Sequence, residues 1–327
     1  MVIVSSVAFS HRKVARQISE VVGDSLVITH NEPLMVFSNQ MIYVGTIDWY
    51  SVGCASRYAV GSKRKIFYGV AEGIPVLTDE SHRILEMFRI VVPTEYVRWE
   101  AENVGLTVES IVPHAVRTVV PNVRAFRKLR RQWSSKKARY FVGWIGANQH
   151  RKALDIVFDV ASKLPSEIAV VVITGYGEIP LDTVPENVIL YRNIYSWSES
   201  DIAAFYQSID AYLGITRGEG FGITVYEALA YGKPVIAPDI LVFKPIRKYL
   251  VTYDVQKPRL EPYMDYIIMR YYEPKSVSEI AQAIYDTVVR KPDMTDASRE
   301  IREKYSPERV YSVFKIGEIF NYKVRRL

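Results

Sequence analysis

Residues 216–239, TRGEGFGITVYEALAYGKPVIAPD, hold the side chains best suited to chemistry. Two carboxylates, Glu219 and Glu227, stand eight positions apart, with Gly218, Gly220 and Gly222 around the first. The apolar AYLGI ahead of them reads as a strand and the run from Thr224 as a helix. Glycines between the two would let a ligand approach the backbone, and the helix start would offer unpaired N–H groups to an anion. Glu219 then sits in the loop and Glu227 one turn inside the helix, so they would meet different parts of one ligand. A carboxylate accepting two hydroxyls suits a sugar or a ribose diol. Taken alone, these residues also fit a solvated loop acid, a helix-surface acid and a tight turn.

The elements that must position them alternate along the chain. Short Val/Ile-rich runs predict strands over 1–7, 26–29, 41–44, 75–78, 89–93, 110–113, 138–144, 168–174, 188–191, 211–214 and 234–237. Helical patterns predict helices over 12–22, 81–87, 95–104, 154–164, 199–208, 224–230 and 276–290. Strand–helix alternation predicts an α/β class with doubly wound parallel sheets. A proline-led basic stretch, PNVRAFRKLRRQWSSKKA, divides the chain. We therefore expect a first domain over 1–123, a basic linker over 124–138 and a second domain over 139–304. A C-terminal helix over 305–327 would pack back on the first. Two such halves would enclose a ligand cleft between the carboxyl ends of their sheets.

With 327 residues and 49% apolar content, the chain is long enough for two cores and too apolar to be disordered. The densest apolar run, 168–173, falls far short of the ~20 residues a spanning helix needs. The start, MVIVSSVAFSHRK, has no basic stretch ahead of its apolar one and does not read as a secretory signal. One cysteine, Cys54, excludes an intramolecular disulfide, and no Cys/His cluster has zinc spacing. The expectation is a cytoplasmic protein. Its net charge of +6 allows an anionic partner. Eight basic residues lie between Arg124 and Arg139, with Phe126, Leu129 and Trp133 at helical spacing. That pattern fits a solvated connector or peripheral contact with an anionic membrane. Nucleic acid is disfavoured, because aromatics are not interleaved with the cations as in a base-stacking groove.

The run EGFGITVYE resembles the E-x7-E signature of the retaining glycosyltransferases of family four, which have the GT-B fold, and ALAYGKPVIAPD is similar to its usual continuation. GANQHRKALDIVFDVASKLP, VVITGYGEIP and ENVILYRNIYSWSESDIAAFYQSIDAYL resemble further family segments in the expected order. FRIVVPTEYVRWEAENVGLTVESIVPHAV is similar to the first-half segment. The likeness covers about residues 70–240. It implies two Rossmann-like domains facing a central cleft and transfer of a sugar from a nucleoside-diphosphate sugar with retention at the anomeric carbon.

Carried over by position, the resemblance makes Glu219 the residue that binds donor-sugar hydroxyls, beside the Gly220, Phe221 and Gly222 backbone. The Ile223 and Thr224 amides would hold the diphosphate and Glu227 the ribose. Lys152 would neutralise the departing diphosphate, and Ile194 would pack on the base. The family arginine five positions before that lysine falls on Ala147, so Arg151 and Arg217 become candidate replacements. The usual glycine-pair loop after strand one is absent; VAFSHRKVA stands there, and His11, with Arg12 and Lys13, could meet a phosphate or the acceptor. Asp79, His82 and His114 are further acceptor-side candidates. No D-x-D pair occurs, so neither metal nor cofactor is expected. The acceptor is open among lipid-linked, glycan and protein classes. Two other readings stand beside transfer: a degenerate protein that binds nucleotide sugar or glycan, and a GT-B sugar-nucleotide epimerase.

Overall fold

In the computed structural model, which describes residues 1–32, 37–134, 137–175, 177, 179–263 and 265–315, the chain forms two parallel sheets flanked by helices. The first half runs β1 (Val2–Ser5), α1 (Phe9–Val22), β2 (Leu26–Thr29), β3 (Ser38–Thr46), α2 (Trp49–Ala59), β4 (Ser62–Val70), β5 (Gly73–Pro75), α3 (Asp79–Leu85), β6 (Arg89–Val92), α4 (Glu95–Asn103) and β7 (Val108–Ile111). Its sheet has the order β2-β1-β3-β4-β6-β7 and is parallel throughout. After α5 (Val123–Trp133) the second half runs β8 (Tyr140–Ala147), α6 (Leu154–Lys163), β9 (Ile168–Gly175), β10 (Val188–Tyr191), α7 (Glu199–Ser208), β11 (Ala211–Leu213), α8 (Ile223–Ala230), β12 (Val235–Pro238) and β13 (Leu250–Tyr253). This sheet is also parallel, in the order β10-β9-β8-β11-β12-β13.

Each half is a Rossmann-like doubly wound unit. The chain leaves its first strand to one side and returns to the other, which puts a switch point between β1 and β3 and another between β8 and β11. Ligands of such sheets bind in the crevice at the carboxyl end of that gap. The loops after β8 and β11, which carry Lys152 and Glu219, and the first turn of α1 after β1, which carries His11, therefore start where a ligand can be reached. The sequence supports the second sheet strongly: all eight residues of β9, IAVVVITG, are buried.

Several elements differ from the sequence expectations. The strand expected over 75–78 is instead the short β5, whose partner is not the parallel sheet. It pairs antiparallel with β15 (Ile267–Tyr271), which pairs with β14 (Arg259–Tyr263) from the second half. Gly73 permits this approach, because a Cβ there would lie 2.2 Å from the Ile268 carbonyl. The nine-residue β4 escapes periodicity because its leading SKRK is polar while its later residues are buried.

The basic segment is the helix α5, a connector whose few apolar side chains pack on the protein. Asn122 caps it by accepting from the Arg124 and Ala125 amides at 3.1 and 3.2 Å. Leu129 and Trp133 are buried and Phe126 packs against the same core, so the apolar stripe is used within the protein and the cations face outward. Insertion of that stripe into a membrane is thereby excluded in this conformation. After α9 (Val277–Arg290) and α10 (Thr295–Lys304), the chain crosses back as α11 (Pro307–Tyr311). Val310, Tyr311 and Phe314 pack into the first-half core beside Val14 and Ile18. The remainder of the expected C-terminal helix, from residue 316, lies outside the described residues.

Candidate active site

The loop between β11 and α8 is fixed by its glycines. Gly222 has φ +81°, and a Cβ on it would strike the Phe243 ring at 2.5 Å. A Cβ on Gly220 would lie 2.5 Å from Val70 Cγ1 and 2.8 Å from the Ala71 carbonyl, so the second-half loop touches the first half directly. Thr94 Oγ1, which also caps α4, donates to the Gly220 carbonyl at 3.0 Å. Phe221 is buried, stacked on Tyr226 at 4.3 Å and edge-on to His114 at 5.1 Å. The following helix starts with no side-chain cap and no acid in its first turn. The Ile223 and Thr224 end of α8 is thus suited to an outside anion.

Three acid–base pairs surround this turn. Glu219 Oε1 accepts from Lys152 Nζ. Lys152 ends a short 3-10 turn, His150–Lys152, and Ala153 after it sits at φ 57°, a left-handed conformation that costs a non-glycine residue about 1 kcal/mol or more. Arg151 reaches across the cleft to Glu72, 2.8 Å away. Glu227, 6% exposed, accepts from Lys13 Nζ at 2.6 Å through one oxygen and from the Tyr206 hydroxyl at 3.0 Å through the other. Burial pulls the Lys13 ammonium down, but the charge of Glu227 and the hydrogen bond to it prevail and raise it above the ordinary lysine value. Burial raises the Glu72 carboxyl, against the opposing charges of Arg151 and Lys152 and with that of Glu219.

The remaining candidates divide. His11 lies in the cleft with Nδ1 2.6 Å from Ser6 Oγ. Burial, then the charges of Arg151 and His30, push it down to about 4, so the ring is neutral near pH 7. Ile194 packs over Gly175 at the carboxyl end of β9, where a Cβ would lie 2.8 Å from its Cγ2. Arg217, expected as a donor cation, is a structural clamp instead. It is 5% exposed, binds Asp155 through two bonds of 2.7 Å and Glu273 at 2.6 Å, and donates to the His150 carbonyl at 2.9 Å. His114 does not reach the cleft surface: it is 3% exposed, with Nδ1 2.9 Å from the Tyr68 hydroxyl. Its ring supports Phe221. Asp79 and His82 lie on α3, which packs on α2, and no described hydrogen bond or ion pair joins them to the cleft cluster.

Sequence reasoning missed Glu72 and Tyr206 as neighbours of the site and left Lys13 without a partner. Glu72 follows a strand that periodicity did not reveal, and the Lys13–Glu227 contact spans 214 positions. The packing of one half on the other brings in Glu72 and Lys13, and the packing of α7 on α8 brings in Tyr206.

Residues 139–253 match the family described as "Glycosyl transferases group 1". An uncharacterized glycosyltransferase of Sulfolobus islandicus rod-shaped virus 1 is 22% identical over 62% of this chain and 63% of its own length. A GDP-mannose-dependent alpha-mannosyltransferase of Mycolicibacterium smegmatis is 32% identical over 37% of this chain and 30% of its own. The chain thus spans less than two thirds of either relative. Among solved structures, Anabaena HepE in complex with UDP superposes with a TM-score of 0.68 and 12% identity, covering 96% of this chain and 97% of that one. The fold is GT-B, two Rossmann-like domains facing a cleft.

Proposed function

We propose that this chain is a retaining glycosyltransferase that moves a sugar from a nucleoside-diphosphate sugar to an acceptor hydroxyl. The observation that carries the reading is the Glu219–Lys152 pair at the β8/β11 switch point, in front of the uncapped start of α8. In this reading Glu219 binds donor-sugar hydroxyls, the Ile223 and Thr224 amides hold the diphosphate, Glu227 takes the ribose and Ile194 packs on the base. Lys152 and Arg151 neutralise the charge that grows on the departing diphosphate, a stabilisation worth several kcal/mol (about 3 for one well-placed group). The anomeric C–O bond to phosphate breaks as the acceptor C–O bond forms on the same face, and the diphosphate oxygen takes the acceptor proton. This scheme needs no metal and no organic cofactor. In this reading His11 and Glu72, both from the first half, serve the acceptor side.

The mannosyltransferase relative makes GDP-mannose the first donor to try. The outward Arg124, Arg127, Lys128 and Arg131 of α5 suit peripheral contact with an anionic membrane from the cytoplasmic side, through charge and not insertion. This places a lipid-linked acceptor first among the three classes.

The test is incubation with radiolabelled UDP-, GDP-, ADP- and TDP-sugars. Transfer or slow hydrolysis of one donor, lost in Glu219→Ala, supports the proposal. Donor binding with no turnover marks a binding protein, the reading that Ala147 favours. An epimerised sugar nucleotide as product marks an epimerase.

A further inference from the structure

The carboxylate proposed for the ribose has both oxygens engaged: Lys13 holds Oε1 at 2.6 Å and Tyr206 holds Oε2 at 3.0 Å. Each carboxylate oxygen can accept a second bond, but Glu227 is only 6% exposed, so a ribose diol reaches it by moving one of these partners aside. Tyr206 is fully buried and stacked on Tyr231 at 5.3 Å, so it is fixed. Lys13 is a long side chain, 22% exposed, on the first turns of α1 in the opposite half. It is the partner that can leave.

Glu227 lies four residues into α8 from Ile223, which at 1.5 Å per residue is about 6 Å from the helix start. A lysine side chain spans that distance by changing rotamers. A displaced Lys13 ammonium therefore stays within reach of an anion held at the Ile223 and Thr224 amides. Of the second-half cations near this turn, Arg217 is committed to Asp155 and Glu273, which leaves Lys152 and Arg151 as those the second half can offer the diphosphate.

We infer that Lys13 is a donor-exchanged cation, bound to Glu227 until nucleotide displaces it and moving then to the diphosphate. The inference rests on the donor-site reading of Glu219 and Glu227. It gives the first half a direct hand in donor binding, and it makes the nucleoside and phosphate portions unequal in their dependence on Lys13. Displacing Lys13 opposes nucleoside binding, whereas the released ammonium favours the phosphates.

The experiment is calorimetric binding of uridine, guanosine, adenosine and thymidine, each against its diphosphate, to wild type, Lys13→Met, Lys13→Gln and Lys13→Arg. The readout is the ratio of nucleoside Kd to diphosphate Kd. Wild type should show a large ratio, which falls about tenfold in the Met and Gln variants, with nucleoside Kd equal to or below the wild-type value. Arg, which keeps the charge, should retain most of the ratio. A ratio unchanged in the neutral variants, or equal weakening of nucleoside and diphosphate, overturns the role of Lys13 while leaving the donor site standing. Wild-type protein that binds none of the diphosphates overturns the donor-site reading, and the inference with it.

Discussion

Glu219 and Glu227 sit in the same turn but have different work to do, and their partners show why. Glu219 faces the cation at the switch point, whereas Glu227 is held between one fixed hydroxyl and one movable ammonium. Glu219→Gln keeps the shape and removes the charge, and should lower transfer at least a hundredfold with little change in melting temperature; labelled-donor turnover measures it. The histidines make a pH prediction. Burial is the main reason that His11 titrates near 4 and His114 near 3, against 6.5 when exposed. Below about pH 6.5 the unfolded chain therefore binds protons that the folded chain refuses, and stability falls as pH drops toward 4. Above that value these groups contribute no slope. Chemical denaturation from about pH 7.5 to about 4.5 should show the fall, with a shallower slope in His114→Phe; identical slopes would contradict it. The sequence displayed both histidines but not their neutrality, which comes from packing that a linear pattern does not carry.

Local periodicity reveals elements that are buried and continuous, and hides those whose role is to join the two halves. β9 and the β11–loop–α8 unit are plain in the sequence because eight consecutive buried residues and a glycine-marked turn each leave a pattern. The β14–β15 hairpin does not. No residue of β14, RLEPY, is buried, so it carries no apolar stripe. β5 is three residues long and gains its meaning only from a partner nearly 200 positions away. Gly222 tests the turn itself. Gly222→Ala must either abandon φ +81° or push a methyl into the Phe243 ring, at a cost of about 1–3 kcal/mol. Thermal unfolding should report that loss, and an unchanged melting temperature would show that the loop can rearrange. Gly73→Val should disrupt the β5–β15 ladder, seen as faster amide exchange in residues 267–269 than in wild type.

Across the whole molecule the halves are tied at several places. The β5–β15 ladder, Thr94–Gly220, Arg151–Glu72 and Lys13–Glu227 all cross the cleft. Arg270 beside β5 adds an ion pair to Glu100, which is completely buried. Opening of the cleft must then pivot about the ladder and break the ion pairs that cross it. Arg270→Met leaves Glu100 without its buried partner and should cost about 3–5 kcal/mol in denaturant unfolding. The same view relocates the surplus of positive charge. Lys13, Arg151 and Lys152 are matched in the cleft by three carboxylates, so the excess belongs to outer faces such as that of α5, not to the donor site. The two-domain division and the cleft were legible from strand–helix alternation. The way the halves are fastened was not, because every fastening is a contact between distant residues.

The most direct test of the account is a thermal-shift panel of UDP-, GDP-, ADP- and TDP-sugars on the wild-type chain and on Glu227→Gln. Saturation at about a hundred times Kd stabilises a fold by about 2.7 kcal/mol, which raises the melting temperature by several degrees. The account predicts such a rise for one nucleotide class in wild type, greatly reduced in the variant. No rise with any nucleotide, or an equal rise in both proteins, would contradict it.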